Sequence, residues 1–225
     1  MMKPVSEHVR EHRSALAGLE KRILIWLAVR LPRWATPDHL TLLGLGAMLA
    51  AGLAYWAARW KPGALMLAVV ALALNWFGDS LDGTLARVRN QERPRYGYYV
   101  DHVLDMVGLV FMLGGLAMSG YMSPLIALGL LVAYLIVAAE VFLATCVHGV
   151  FRLSSLGVGP TEMRIILAIG TLRLLHGPGI RLGKLGAFLL FDVGGIVAIA
   201  GLGLALVISI VRNARALYHA EPPAR

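Results

Sequence analysis

Cysteine is nearly missing: Cys146 is the single thiol in 225 residues, so the chain forms no internal disulfide and holds no multi-cysteine metal site. Charge is scarce as well. Charged residues make up 15% of the chain and hydrophobic residues 58%, whereas a soluble domain carries about 25% charged residues. Most of the surface must therefore face something other than water, and a bilayer is the solvent that fits. Acid is scarcer than base, with 13 Asp and Glu against 21 Lys and Arg and a net charge of +8. The basic residues stand in short clusters beside apolar runs rather than on a polar module, which argues against nucleic acid and for anionic lipid headgroups as partner. A cleavable leader pattern is also lacking. Met1 to Ser14 carries Lys3, Glu7, Arg10, Glu11 and Arg13 without an apolar core, so the first span is expected to direct insertion itself. There is no fixed-period repeat, and no low-complexity stretch beyond Pro222-Pro223.

What is abundant is apolar sequence, running almost unbroken from Leu40 to Val211. A spanning helix needs about 20 such residues. The segments Leu40 to Ala58, Gly63 to Leu85, Tyr98 to Ser119, Pro124 to His148, Thr161 to Leu175 and Leu185 to Val211 meet or approach that length. Breakers such as Lys61-Pro62-Gly63, Arg93-Pro94-Arg95 and Gly177-Pro178-Gly179 separate them. The expected fold is an all-α polytopic membrane protein with six transmembrane helices. Ahead of them Leu16, Leu19, Ile23, Trp26 and Leu27 recur at helical spacing, with Glu20 and Lys21 toward the other side, which predicts an amphipathic helix lying in the interface. Pro32 ends it; Thr36-Pro37 offers an N-cap and a first helical proline for the next helix. The expected organisation is an interfacial segment 1–35, a six-helix catalytic domain 36–212 and a tail 213–225. Small residues at four-residue spacing, Gly46, Ala50 and Ala54, predict close helix contact.

Orientation follows from positive charge, which cytoplasmic loops retain. With six spans and both termini on one side, that side holds 16 of the 21 Lys and Arg residues. Both termini, and the Arg87 to Arg95 loop, are expected to be cytoplasmic.

Four of the six aspartates, Asp79, Asp82, Asp101 and Asp105, fall within 27 positions that close one expected span and open the next. Spacings of three and four put each pair on one helix face, and neighbouring antiparallel helices bring all four to one depth. Carboxylates near hydrocarbon are costly and usually functional. Four together repel unless cations neutralise them. Hard oxygen donors select Mg²⁺, Mn²⁺ or Ca²⁺, and two such ions about 3.5–4 Å apart clamp a transferring phosphoryl group. Cytidine diphosphate esters suit such a site. Gly83 and Gly97 remove side chains where a nucleotide or metal approaches backbone, and Arg87 adds a permanent positive charge.

Asp79-Ser80-Leu81-Asp82-Gly83-Thr84-Leu85-Ala86-Arg87, then nine residues, then Gly97-Tyr98-Tyr99-Val100-Asp101-His102-Val103-Leu104-Asp105, resembles the complete signature of the CDP-alcohol phosphotransferases, D-x-x-D-G-x-x-A-R followed by G-x-x-x-D-x-x-x-D. The resemblance implies that the four aspartates bind two divalent ions, Mg²⁺ or Mn²⁺. It places Gly83, Ala86, Arg87 and Gly97 on the nucleotide-binding surface and makes Asp105 the general base. An acceptor hydroxyl then attacks the phosphorus distal to cytidine, and CMP leaves. It further implies six spans, an interfacial N-terminal helix and a homodimer. One departure is Pro37-Asp38, where family members often show Pro-Asn.

Acceptor-binding candidates are His102, Glu162 and Arg164. His102 makes an Asp-His pair similar to that of the choline and ethanolamine phosphotransferase branch, and its plain role is to bond a carboxylate. Glu162 and Arg164 open the fifth span level with the aspartates, where an early Glu also complements a helix start. Asn75 faces a nucleotide or, more simply, a neighbouring helix. Glu140 and Asp192 lie inside later spans, Glu140 expected to pack across a dimer or on His148 and Asp192 to be wet. Two substrate forms share the signature. In the favoured one CDP-diacylglycerol gives its phosphatidyl group to an alcohol; in the other a CDP-amino alcohol reacts with a lipid hydroxyl. The alternative from another class is a cation transporter, which requires polar groups reaching both membrane faces.

Overall fold

The computed structural model describes residues 17–148, 159–181, 183 and 186–221. Leu16 of the expected stripe, Arg152, Lys184, Leu185 and the Pro222-Pro223 terminus lie outside the described residues. The elements in chain order are α1 (Ala17–Arg30), α2 (Pro37–Ala58), α3 (Ala64–Val88), α4 (Pro94–Ser119), α5 (Pro124–His148), α6 (Pro160–Leu174), β1 (Gly179–Arg181), β2 (Ala187–Leu189) and α7 (Leu190–Ala220).

Five of these helices, α2, α3, α4, α5 and α7, are long and apolar enough to cross a bilayer, which makes the chain a multi-pass integral membrane protein. The fifth expected span, Thr161 to Leu175, forms α6. At 15 residues it is about 22 Å long, short of a hydrocarbon core of about 30 Å. The described residues thus hold five helices of spanning length rather than six. Arg164 and Arg173 confine the uninterrupted apolar run of α6 between them. A second difference precedes α7. Where a helix from Leu185 is expected, β1 and β2 pair antiparallel with Ile180 opposite Phe188. Gly183 and Gly186 take positive φ angles between the two strands, a reversal open to glycine because it lacks a Cβ. The helix α7 then runs to Ala220, beyond the expected end at Val211. Its 31 residues reach about 46 Å, longer than the hydrocarbon core.

Helix ends follow local chemistry. The Thr36 hydroxyl accepts the His39 backbone N–H at 3.2 Å, and Pro37 opens α2. Gly120, at φ 81°, ends α4 in the left-handed region. Asp192 at the start of α7 accepts from Ser123 N–H at 2.7 Å and from the Ser123 hydroxyl at 2.5 Å, so it is bonded to the entry of α5 rather than simply wet.

Lipid tails are as apolar as leucine, so helices associate in a membrane by close packing and interhelical hydrogen bonds. Central to this packing is α2, which lies against both α3 and α4. Its crossings are made by glycines other than those expected. A Cβ on Gly78 of α3 would lie 2.5 Å from Leu40 O and 2.7 Å from Gly44 N, and a Cβ on Gly115 of α4 would overlap the Gly52 backbone. Of the expected stripe only Ala54 is buried; Gly46 and Ala50 face outward. In an all-apolar helix the hydrophobic pattern does not say which side meets protein. At the other end of α2, the buried Tyr55 hydroxyl bonds the Thr171 hydroxyl of α6 at 2.6 Å and its ring meets Phe191 of α7 edge-on. The Glu140 carboxylate accepts from Ser209 at 2.9 Å and Asn213 at 2.8 Å, so its partners are on α7 of the same chain.

The N-terminal helix α1 runs alongside the second half of α3. Leu24 and Ala28 join Leu40, Leu81 and Leu85 in one buried cluster, and the Arg89 guanidinium reaches the Leu31, Pro32 and Ala35 carbonyls. Ile23 and Trp26 of the expected stripe are exposed, together with Ile25 and Val29. Glu20, expected to face away, turns into the protein, because Trp76 and Thr161 supply donors there.

Candidate active site

The second half of α3 and the first half of α4 carry the aspartates. Helical spacing places Asp79 and Asp82 within one turn of α3, and Asp101 and Asp105 one turn apart on α4. Their carboxylates do not all converge. Asp79, Asp101 and Asp105 each present an oxygen within 4.8 Å of the others. Asp82 lies outside that set: its Oδ2 accepts from the Thr41 hydroxyl of α2 at 2.7 Å and its Oδ1 from the Gly83 N–H at 2.5 Å. Local donors have turned it toward α2, a competition that spacing alone does not disclose.

The three converging carboxylates border a cleft whose other walls are Thr41, Gly44, Leu45, Met48, Asn75 and Leu104. The Gly78 crossing of α2 serves this cleft, since Gly78 adjoins Asp79 and packs on Gly44. Asn75 is buried; it donates to Gly44 O at 3.1 Å, the neighbouring-helix role expected of it, and its Oδ1 accepts from Arg164 Nε at 2.7 Å. Arg164 then donates from Nη2 to Asp79 Oδ2 at 2.5 Å. The α6 arginine is therefore part of the carboxylate site. Three carboxylates against one guanidinium leave two negative charges when all are ionised, the charge of one divalent ion. Hard carboxylate oxygens without sulfur or imidazole are the donors Mg²⁺ and Mn²⁺ prefer, so these residues fit such an ion.

The other candidates are placed more loosely. Gly83 adjoins Asp82, and a Cβ there would meet only Arg87 Nη1, at 3.6 Å. Ala86 is half-buried; Arg87 is exposed, with Nη2 donating to the Thr84 hydroxyl at 3.2 Å. Gly97 lies one turn before Asp101, exposed, with open space where a Cβ would stand. His102 Nδ1 is 2.8 Å from the Tyr98 carbonyl and 3.6 Å from Asp101 Oδ2, and its ring stacks on Tyr98 with Phe142 edge-on to both. Glu162 Oε2 accepts the Gly159 N–H at 3.0 Å, which caps α6. Asp38 pairs with Arg93 beyond the end of α3. Sequence reasoning passed over Thr41 and Gly44 and set Glu20 on the outer side of α1. Thr41 and Gly44 look like ordinary residues of an apolar span, and only the Asp82 and Asn75 contacts give them a role.

A family model described as CDP-alcohol phosphatidyltransferase matches residues 34–211. No curated protein matches the chain. Among solved structures, the crystal structure of Mycobacterium tuberculosis phosphatidylinositol phosphate synthase with CDP-DAG bound is similar to it. The TM-score is 0.60 at 22% identity, covering 88% of this chain and 94% of that one. That likeness is one of fold.

Proposed function

The chain belongs to the CDP-alcohol phosphatidyltransferase family, and from that premise we propose that it moves a phosphatidyl group from CDP-diacylglycerol onto an acceptor hydroxyl, releasing CMP. The observation that carries this reading is the meeting of Asp79, Asp101 and Asp105 in a cleft walled by α2. The structural neighbour, crystallised with CDP-DAG, supports the choice of donor.

In this reading the acceptor oxygen forms a bond to the phosphorus distal to cytidine, and the bond from that phosphorus to the CMP oxygen breaks. Asp105 takes the hydroxyl proton as the oxygen attacks. Divalent cations, Mg²⁺ or Mn²⁺, supply Lewis-acid stabilisation of phosphate charge. Asp79 and Asp101 would hold one ion with Asp105, and Asp82, bonded to Thr41, would serve a second. Arg164 keeps Asp79 oriented and presents positive charge to an anionic acceptor. Gly83, Ala86, Arg87 and Gly97 form the nucleotide surface, where the bare backbone at Gly83 and Gly97 admits a ligand. The catalytic domain is 36–212, with α6 completing six crossings and with both termini and the site cytoplasmic; the positive-charge bias supports this. The exposed Ile23, Trp26 and Val29 of α1 meet the bilayer interface.

A CDP-amino alcohol as donor is the second reading, favoured by His102 beside Asp101 within the Tyr98 and Phe142 rings. Against a cation pathway stands the gathering of Asp79, Asp101 and Asp105 beside the first half of α2, whereas toward its far end the buried Tyr55–Thr171 pair is neutral and Asp192 is bonded to Ser123.

The test is CMP release by the detergent-purified chain with Mg²⁺ or Mn²⁺. CDP-diacylglycerol is offered with a panel of polyols, polyol phosphates and amino alcohols, then CDP-choline or CDP-ethanolamine with diacylglycerol. Metal-dependent release from CDP-diacylglycerol with one acceptor class is expected, and EDTA abolishes it. Release only from the CDP-amino alcohols would establish the second reading instead, and none from any donor would refute both.

A further inference from the structure

Glu20 is the carboxylate of α1 that helical spacing assigns to the outer side and the fold turns inward. Its Oε1 accepts from the Trp76 indole of α3 at 2.9 Å and from the Thr161 hydroxyl of α6 at 2.6 Å. One oxygen thus joins three helices. The two donors are neighbours of the Asp79–Arg164 contact. Thr161 precedes Arg164 by three residues on α6, so the two share a face. Trp76 stands in α3 between Asn75 and Asp79, the two residues that Arg164 binds. The helices α3 and α6 are therefore tied twice, by Glu20 and by Arg164. Glu20 is itself held in place, because Leu24 and Ala28 bury into the Leu81 and Leu85 cluster and Arg89 grips the end of α1 through Leu31 and Pro32.

We propose that Glu20 is a positioning residue: by tying the start of α6 to Trp76 it holds the Arg164 guanidinium on Asp79, so that docking of the N-terminal helix sets the charge at the carboxylate cluster. The inference rests on the metal-site reading above. A guanidinium on Asp79 opposes cation binding at the same carboxylates. Freeing it tightens binding of a divalent ion, whereas damage to the fold loosens it, and this difference in sign separates positioning from mere support.

The experiment is a Mn²⁺ titration of the purified full chain followed by electron paramagnetic resonance, with no substrate present. Removing the Arg164 charge with Arg164→Leu is expected to tighten Mn²⁺ binding roughly tenfold, the effect of one unit charge at contact distance. Glu20→Ala and Thr161→Val tighten it by a smaller factor, about threefold, because the guanidinium is loosened rather than removed. Glu20→Gln, whose amide oxygen still accepts two hydrogen bonds, stays at wild-type affinity. The double variant Glu20→Ala with Arg164→Leu equals Arg164→Leu alone, since the two act through one contact. Unchanged or weaker binding in both Glu20→Ala and Thr161→Val, or additivity in the double variant, overturns the proposal while leaving the metal reading intact. Wild-type protein that takes up no Mn²⁺ instead refutes that reading and this inference with it.

Discussion

Replacing Gly78 with alanine tests whether the α2–α3 crossing builds the site. The added Cβ would stand 2.5 Å from Leu40 O and 2.7 Å from Gly44 N, where ordinary contact begins at 3.4 Å, so the helices must part by roughly 0.9 Å. Both neighbours are backbone atoms and cannot rotate away. The same interface carries the Asn75 bond to Gly44 O at 3.1 Å, which that separation stretches to about 4 Å, beyond hydrogen-bonding range. Overpacking costs about 1–3 kcal/mol and the lost buried bond about 1 kcal/mol, for a sum of about 2–4 kcal/mol. At about 2–4 °C per kcal/mol for a chain of this size, the Tm should fall by roughly 5–15 °C. The assay is a thermal scan in detergent by tryptophan fluorescence, with CMP release measured well below the transition, where loss of activity is also expected. Gly46→Ala is the control, because open space surrounds that position. If Gly78→Ala melts within about 2 °C of wild type and keeps its activity, the crossing does not determine the site as argued.

Asp105→Asn should abolish CMP release with the melting curve retained, and full activity in that variant removes the base assignment. Gly83→Ala should leave Tm unchanged, since its Cβ meets only the flexible end of Arg87 at 3.6 Å, but lower activity through KM for the CDP donor; an unchanged KM removes Gly83 from the nucleotide surface. Arg89→Ala strips the guanidinium from the Leu31, Pro32 and Ala35 carbonyls and should cost about 2 kcal/mol. Limited proteolysis reads this as faster cleavage in the α1–α2 linker, and an unchanged rate contradicts the contact's role.

Much of the fold was legible because helix ends are written in local chemistry. Thr36-Pro37 opens α2, Ser119-Gly120 closes α4 and Pro124 opens α5 where their residue types predict. Faces were less legible. In a membrane helix both the lipid side and the protein side are apolar, so the stripe at Gly46 and Ala50 could not be told from the true contacts at Gly44 and Gly52. The carboxylate site shows the same division. The spacing of four puts Asp101 and Asp105 on one face of α4, and Asp79 meets them because α3 and α4 both pack against α2. The diversion of Asp82 to Thr41 and the pairing of Arg164 with Asp79 are contacts between distant segments, 41 and 85 positions apart, which no local pattern encodes. Glu20 is the plainest miss: next to Lys21 it looks solvated, and only the donors on α3 and α6 turn it inward. The run from Leu185 misled for a different reason, since Gly186 permits a strand reversal that apolar composition conceals.

The proposed chemistry depends on Asp79, Asp101 and Asp105 gathering a divalent ion at the α2 cleft. Anomalous diffraction from crystals grown with Mn²⁺ tests this most directly. A manganese peak bounded by those three carboxylates is the predicted result. Ordered carboxylates with no peak between them, in protein that releases CMP under the same conditions, would contradict it.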